Sequence, residues 1–200
     1  MTVTKEIQKL EKAFDLFNRT FYNGRLPRPV IQFYADMKQR MNGFITVNKV
    51  WVGKDEERTY ELTICANVAD RNIVDLYGTL LHEMAHLYDM ENGIKDVSNN
   101  GYYHNKFFAE TAEAHGLEVR KEGRYGWCRT TPKEWTRAFI EKELTEDAMG
   151  MKYEIPPKRK SRTSNTYKHV CPVCGAIART TKPSVRLVCM DCEVPMEIVE

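Results

Sequence analysis

Apolar positions recur at helical spacing in two long stretches. Ile7, Leu10, Phe14, Phe17 and Phe21 stand three or four residues apart, so residues 4–22 are predicted to form an amphipathic helix with one face on a core. Asn23-Gly24 supplies its stop. The second stretch, residues 72–92, carries Ile73, Tyr77, Leu80, Leu81, Met84, Leu87 and Tyr88 at the same period and ends at Asn92-Gly93. Between the two helices the period changes. Pro27 and Pro29 introduce a short strand over residues 30–34, Val-Ile-Gln-Phe-Tyr. Asn42-Gly43 marks a turn, and residues 44–47 and 50–52 read as one strand or a strand with a bulge. The charged run 54–58 reads as a loop, and residues 60–65 alternate as a half-buried strand does, with Cys65 expected in the core. The architecture expected from this pattern is α+β, a small antiparallel sheet among helices.

After the central helix, residues 94–101 form a loop and a second helix is predicted from about Tyr102 to His115. Thr131-Pro132-Lys133-Glu134 has the form of a capping box with proline at the first helical position. It predicts a further helix through Trp135, Phe139, Ile140 and Leu144 to about Ala148, with Trp127 and Trp135 as packing residues. Residues 156–166, rich in proline, serine and lysine, have almost nothing to bury and read as linker. The expected organisation is a main domain over 1–150, a basic linker over 151–166 and a small module over 167–200.

Composition narrows the class. With 42% hydrophobic and 29% charged residues, this is an ordinary globular chain, and no run approaches the ~18 apolar residues of a membrane span. The N-terminus shows no apolar core of signal-peptide length, so the expectation is a cytoplasmic protein with no membrane partner. In that setting cysteines favour metal binding over disulfides. The net charge is only +2, but it is unevenly spread: residues 151–170 hold six basic residues against one acid, a net +5, which leaves −3 elsewhere.

His82-Glu83-Met84-Ala85-His86 lies inside the central predicted helix. Four helical residues turn through about 400°, so both imidazoles sit on one face, one turn apart, and can reach one zinc ion. Glu83 is about 100° round the helix, placed to address a water on that ion without being a ligand. Two histidines and a glutamate are hard to bury on such a helix without a metal or other partners. A catalytic zinc usually takes three protein ligands and keeps one position for water. The following predicted helix offers His104, Glu110 and His115, and chemistry alone ranks them in that order while leaving all three open.

A second signature lies beyond the linker. Cys171, Cys174, Cys189 and Cys192 follow the pattern C-x2-C-x14-C-x2-C, which matches a tetrahedral structural zinc site. About thirty residues cannot build a core of their own, so the metal is expected to be this module's main source of stability.

The run His82-Glu83-Met84-Ala85-His86, then Asn99-Asn100-Gly101-Tyr102-Tyr103-His104-Asn105-Lys106-Phe107-Phe108, then Gly116-Leu117, resembles the SprT-like zinc metalloprotease domain. The four-cysteine ribbon is similar to that of bacterial and phage members. The resemblance covers residues 1 to about 120 and 167 to 200. It implies a zincin-like fold, His82, His86 and His104 as ligands of a catalytic zinc, Glu83 as the catalytic residue, and a second, structural zinc in the ribbon. The family includes proteases that degrade proteins crosslinked to DNA, with activity coupled to DNA binding. The implied substrate is therefore a protein, possibly DNA-bound. Lys158, Arg159, Lys160, Arg162 and Lys168 are the candidate phosphate contacts, which carry no base specificity. Two competing readings are a non-enzymatic DNA-binding scaffold with a closed zinc site, and a general peptidase whose ribbon mediates protein contacts.

Overall fold

A computed structural model describes residues 2–35, 41–66, 71–145, 150 and 166–199. The chain divides into two compact units, Met1–Ile155 and Pro156–Glu200. The first is mixed α and β. In chain order it contains α1 (Val3–Phe21), β1 (Val30–Tyr34), β2 (Gly43–Ile45), β3 (Trp51–Val52), β4 (Arg58–Thr59), β5 (Glu61–Cys65) and α2 (Ile73–Glu91). There follow β6 (Val97–Ser98), β7 (Tyr103–His104), α3 (Lys106–Ala114), β8 (Leu117–Arg120), a 3-10 turn (Gly123–Tyr125), β9 (Arg129–Pro132) and α4 (Glu134–Glu143).

α1 turns Leu10, Ala13, Phe14 and Phe17 fully inward, as its spacing requires. In its last turn the Asn18 side chain both donates to the Leu26 carbonyl at 2.9 Å and accepts from the Leu26 amide at 3.1 Å, which ties the following loop to the helix. The sheet beside it has the order β1-β5-β2, with β1 parallel to β5 and β2 antiparallel to it. The sheet is thus mixed, where an antiparallel one was expected. Enough chain passes through β2 and the β3–β4 hairpin before β5 to return it parallel to β1, which a tight turn cannot do. β5 is the central strand, and Leu62, Thr63, Ile64 and Cys65 are all buried rather than alternating in and out. Residues 44–52 are not one strand either. β2 ends at Ile45, Thr46 donates to the Asn48 carbonyl at 2.9 Å, and Trp51–Val52 pair with Arg58–Thr59 in a separate hairpin.

α2 runs through the middle of this unit. Asn72 caps it, accepting from the Asp75 amide at 2.9 Å. Leu76, Tyr77, Leu80, Leu81, Met84, Ala85 and Leu87 are essentially inaccessible, so the helix is covered on several sides. Phe14 and Phe17 of α1, Leu62 and Ile64 of β5, Phe108 and Ala112 of α3 and Ile140 of α4 share its core.

Two predicted helix starts lie elsewhere. Asn99, Asn100 and Gly101 all take left-handed backbone angles, so the chain reverses and Tyr103–His104 pair with Val97–Ser98. Helix α3 begins only at Lys106, where Asn105 accepts from the Phe107 amide at 2.7 Å. Thr131 and Pro132 belong to β9, which pairs with β8 from Leu117↔Pro132 to Arg120↔Arg129. The capping box therefore does not form, and α4 starts at Glu134 after Lys133, whose side chain makes no cap hydrogen bond.

The second unit carries β10 (Tyr167–Val170), β11 (Ile177–Thr180), β12 (Val188–Cys189), β13 (Val194–Pro195) and β14 (Glu197–Val199). Its three-stranded antiparallel sheet has the order β11-β10-β14, and β12 and β13 form a hairpin. Among its described residues few are buried: His169, Cys171 and Cys189. Among the described residues no helix is long and apolar enough to cross a membrane.

Candidate metal centres

α2 and β7 bring three imidazoles together. One ring nitrogen from each of His82, His86 and His104 lies within 4.8 Å of the other two. The Nε2 atom of His104 is 3.3 Å from that of His82 and 3.1 Å from that of His86. Two of the other ring nitrogens have partners of their own, whereas the buried Nδ1 of His104 has no hydrogen-bond partner among the described residues. His86 Nδ1 meets the Asp96 carboxylate, and His82 Nδ1 lies 3.0 Å from the Thr130 hydroxyl. A carboxylate can only accept, so His86 carries its proton on Nδ1 and turns the Nε2 lone pair to the centre. One shared proton can satisfy at most two of the three converging nitrogens; a cation can satisfy all three. Two nitrogens each ~2.1 Å from one tetrahedral ion stand ~3.4 Å apart, close to the separations here. The residues therefore fit a metal ion.

The electrostatics of the three rings differ. Burial first, then the neighbouring His86 and His104, hold His82 well below the usual imidazole range. Burial likewise lowers His104, to about 4, with His86 adding to the effect while Asp96 and the Tyr125 backbone oppose it. Burial alone would lower His86, but the Asp96 hydrogen bond and the charges of Glu83, Asp96 and Asp89 outweigh it and raise that group. Phe108, fully buried, floors the cluster, with its ring centroid 4.4–4.7 Å from those of all three histidines.

Glu83 is 6% exposed beside these rings. Burial pushes its carboxyl up to about 7, with the His86 ring opposing and the Asp96 charge reinforcing the rise. β2 passes close by: a Cβ on Gly43 would lie 3.3 Å from Glu83 Oε1 and 2.9 Å from the Thr63 carbonyl, so a side chain there would crowd both. Above the cluster opens a cavity of about 1340 Å³, walled by Phe44, Ile45, Val47, Met90 and Tyr102. A smaller one, about 590 Å³, also reaches His82, Glu83 and His104, from the side of Thr130 and Pro132.

The third position was open on spacing alone between His104, Glu110 and His115. Of these only His104 enters the cluster, and it does so from a strand, not a helix. Glu110 is exposed on α3. His115 stacks on Tyr22 at 4.2 Å and 6°, and its Nδ1 donates to the Thr111 carbonyl at 2.8 Å.

In the second unit the sulfurs of Cys171, Cys174, Cys189 and Cys192 all lie within 4.8 Å of one another. Cys174 and Cys189 are 3.6 Å apart, far beyond a disulfide's ~2.05 Å but close to the ~3.8 Å between two sulfurs on one tetrahedral zinc. The two knuckles are built alike: the Gly175 amide donates to the Cys171 carbonyl at 3.0 Å, and the Glu193 amide to the Cys189 carbonyl at 2.8 Å. The backbone amide of Cys174 holds the Cys171 thiol down to about 7, while its hydrogen bond with Cys174 pushes Cys192 up to about 12. Four thiols this close do not ionise together unaided, and a divalent cation removes that obstacle.

No family model, curated protein or solved structure matches this chain.

Of the candidate nucleic-acid contacts, Lys168 lies on β10 directly opposite Arg179 of β11, so two cations face each other across the ladder. Lys158, Arg159, Lys160 and Arg162 lie outside the described residues. Sequence reasoning missed Asp96, Thr130 and Phe108, which orient and floor the histidines. No spacing rule connects them to His82 and His86; Thr130 is 48 residues from its partner.

Proposed function

We propose that this chain is a zinc-dependent endopeptidase of the SprT-like, zincin type, acting on DNA-associated proteins. The observation that carries the reading is the convergence of three imidazole nitrogens beside the buried Glu83 carboxyl. Zinc on three imidazoles would act as a Lewis acid and lower the pKa of a coordinated water towards ~7. The rest is done by the chain. His82, His86 and His104 each turn one ring nitrogen towards one point, and Asp96 and Thr130 fix two of those rings. Glu83 takes a proton from the attacking water and returns it to the leaving amine, a task suited to a buried carboxyl held beside the three rings without joining them. β2 is an outer strand of its sheet and passes Glu83 at Gly43, so an extended substrate can lie along it by strand addition. A closed structural site would call for a fourth protein ligand; among the described residues three side chains meet, beneath an open cavity.

The four-cysteine unit holds the second, structural zinc. It and the basic linker serve to bring the peptidase to nucleic acid, a role supported by the +5 charge of residues 151–170. The test is cleavage of a DNA-binding protein with and without single- and double-stranded DNA, comparing wild type with Glu83→Gln. The expected result is cleavage that DNA enhances and Glu83→Gln abolishes. Cleavage that survives Glu83→Gln would refute the enzymatic reading, and a rate indifferent to DNA would refute the nucleic-acid part.

A further inference from the structure

Peptide hydrolysis needs a third element besides a metal and a base. When the carbonyl is attacked, its oxygen becomes negative, and a donor preorganised at that point lowers the barrier. The two cavities share part of their lining where they meet over the histidines. Apart from His82, Glu83 and His104, that shared lining consists of Met41, Gly43, Cys128 and Tyr125. Methionine donates nothing, and a thiol is a weak donor that burial keeps protonated at Cys128. Tyr125 is the strong side-chain donor of the set.

Its surroundings prepare it for this task. Arg124 Nη2 donates to the Tyr125 hydroxyl oxygen at 2.8 Å, and the guanidinium lies 5.0 Å from the ring centroid. A guanidinium cannot accept, so this bond occupies a lone pair of the phenol and leaves its proton free for another acceptor. The loop is clamped to the strand that supplies the third imidazole. The Trp127 amide donates to the His104 carbonyl at 2.9 Å, and the Glu122 amide to the Gly126 carbonyl at 2.7 Å. Gly126, at φ 75°, packs so closely that a Cβ would fall 2.1 Å from the His104 carbonyl oxygen. The same strand residue thus positions both an imidazole and the tyrosine loop. Tyr102 is a poorer candidate: it lines only the larger cavity, and at 69% it is more exposed than Tyr125 at 43%.

We propose that Tyr125 is a catalytic residue whose O–H binds the oxyanion formed on the scissile carbonyl, with Arg124 as the residue that positions it. The inference rests on the endopeptidase reading above. In the first step the water oxygen bonds to the carbonyl carbon and Glu83 takes a proton. The π pair moves onto the carbonyl oxygen, to which Tyr125 donates a hydrogen bond while keeping its proton. In the second step the C=O bond re-forms, the C–N bond breaks, and the proton on Glu83 passes to the amine nitrogen. Atoms and charge balance with water as the one co-reactant.

The experiment uses the full-length, zinc-loaded protein and three readouts: kcat and KM on an unstructured polypeptide, zinc content, and affinity for a phosphinic peptide that mimics the tetrahedral anion. Tyr125→Phe should lower kcat about 10²- to 10³-fold, the usual loss for one oxyanion donor, with KM and zinc content unchanged. The phosphinic peptide should bind more weakly by a comparable factor, while an uncleaved substrate peptide, measured in a Glu83→Gln background, should bind as before. Arg124→Ala should lower kcat about tenfold at unchanged KM, and Arg124→Lys, which keeps a cationic donor, should restore most of it. Wild-type kcat in Tyr125→Phe would overturn the inference, as would loss of zinc or an equal weakening of both peptides, which would make the residue structural. If the wild type shows no Glu83-dependent cleavage at all, the endopeptidase reading falls and takes this inference with it, a result distinct from a failure of Tyr125 alone.

Discussion

Replacing Asp96 by alanine should weaken metal binding at the three-histidine centre without touching a ligand. The Asp96 carboxylate is 5% exposed and accepts the Nδ1 proton of His86. Without it that proton has no acceptor, and the ring can carry it on Nε2, where it blocks coordination. The charge that favours a cation nearby is lost as well. The Asp96 carbonyl, which accepts from the Asn105 amide at 2.9 Å, is backbone and survives, so the turn leading from His104 into α3 stays anchored. Losing such an outer partner typically lowers metal affinity 10- to 100-fold, or about 1.4–2.7 kcal/mol. The deep burial of this carboxylate places the expectation towards the upper end. Asp96→Asn keeps an acceptor but drops the charge and should fall between alanine and wild type. The assay is competition of the full-length protein against a chromophoric zinc chelator at constant pH. His104→Ala, which removes a ligand, marks the limit of full loss from this site, and the cysteine site serves as internal reference. If Asp96→Ala holds zinc as tightly as wild type, the carboxylate does not set the ring's tautomer and the reasoning fails.

Three further outcomes follow from the same structure. Cys171→Ser should cost the second unit its metal and its fold, since little else among its described residues is buried, while the histidine centre keeps its ion; elemental analysis should fall from two zinc ions to one per chain. His115 is held below the usual imidazole range by burial, so between its folded and unfolded values the unfolded chain binds more protons. Its contribution to stability is therefore present above about pH 6.5 and lost as pH falls below it, and His115→Phe should flatten that part of a urea-unfolding profile between pH 7.5 and 5.5. Changing Lys158, Arg159, Lys160 and Arg162 to alanine removes about four phosphate contacts, so a log–log salt slope of roughly −3 to −4 on duplex DNA should flatten while cleavage of a free peptide stays constant. An unchanged slope would mean that these four residues do not contact phosphate; a chain truncated after Gly150 that binds DNA as tightly as the full chain would move the nucleic-acid surface to the first unit.

The sequence by itself determined what depends on neighbours along the chain. A 3.6-residue period puts His82 and His86 one turn apart on a helix, and two C-x2-C knuckles need only their own few residues to turn the sulfurs inward. The long amphipathic helices were legible for the same reason. Tertiary structure alone decided what depends on distant segments. Whether His104, Glu110 or His115 joins the cluster turns on a strand that two asparagines and a glycine fold back onto Val97–Ser98, not on helical spacing. The direction of β1 against β5, and the loss of the 131–134 cap to a strand, were likewise settled by pairing partners elsewhere in the chain. Asp96, Thr130, Phe108 and Tyr125 sit on four different segments and carry no common spacing. They meet around the histidines because burying α2 leaves its polar face one place to be satisfied, and the packed chain supplies those partners there.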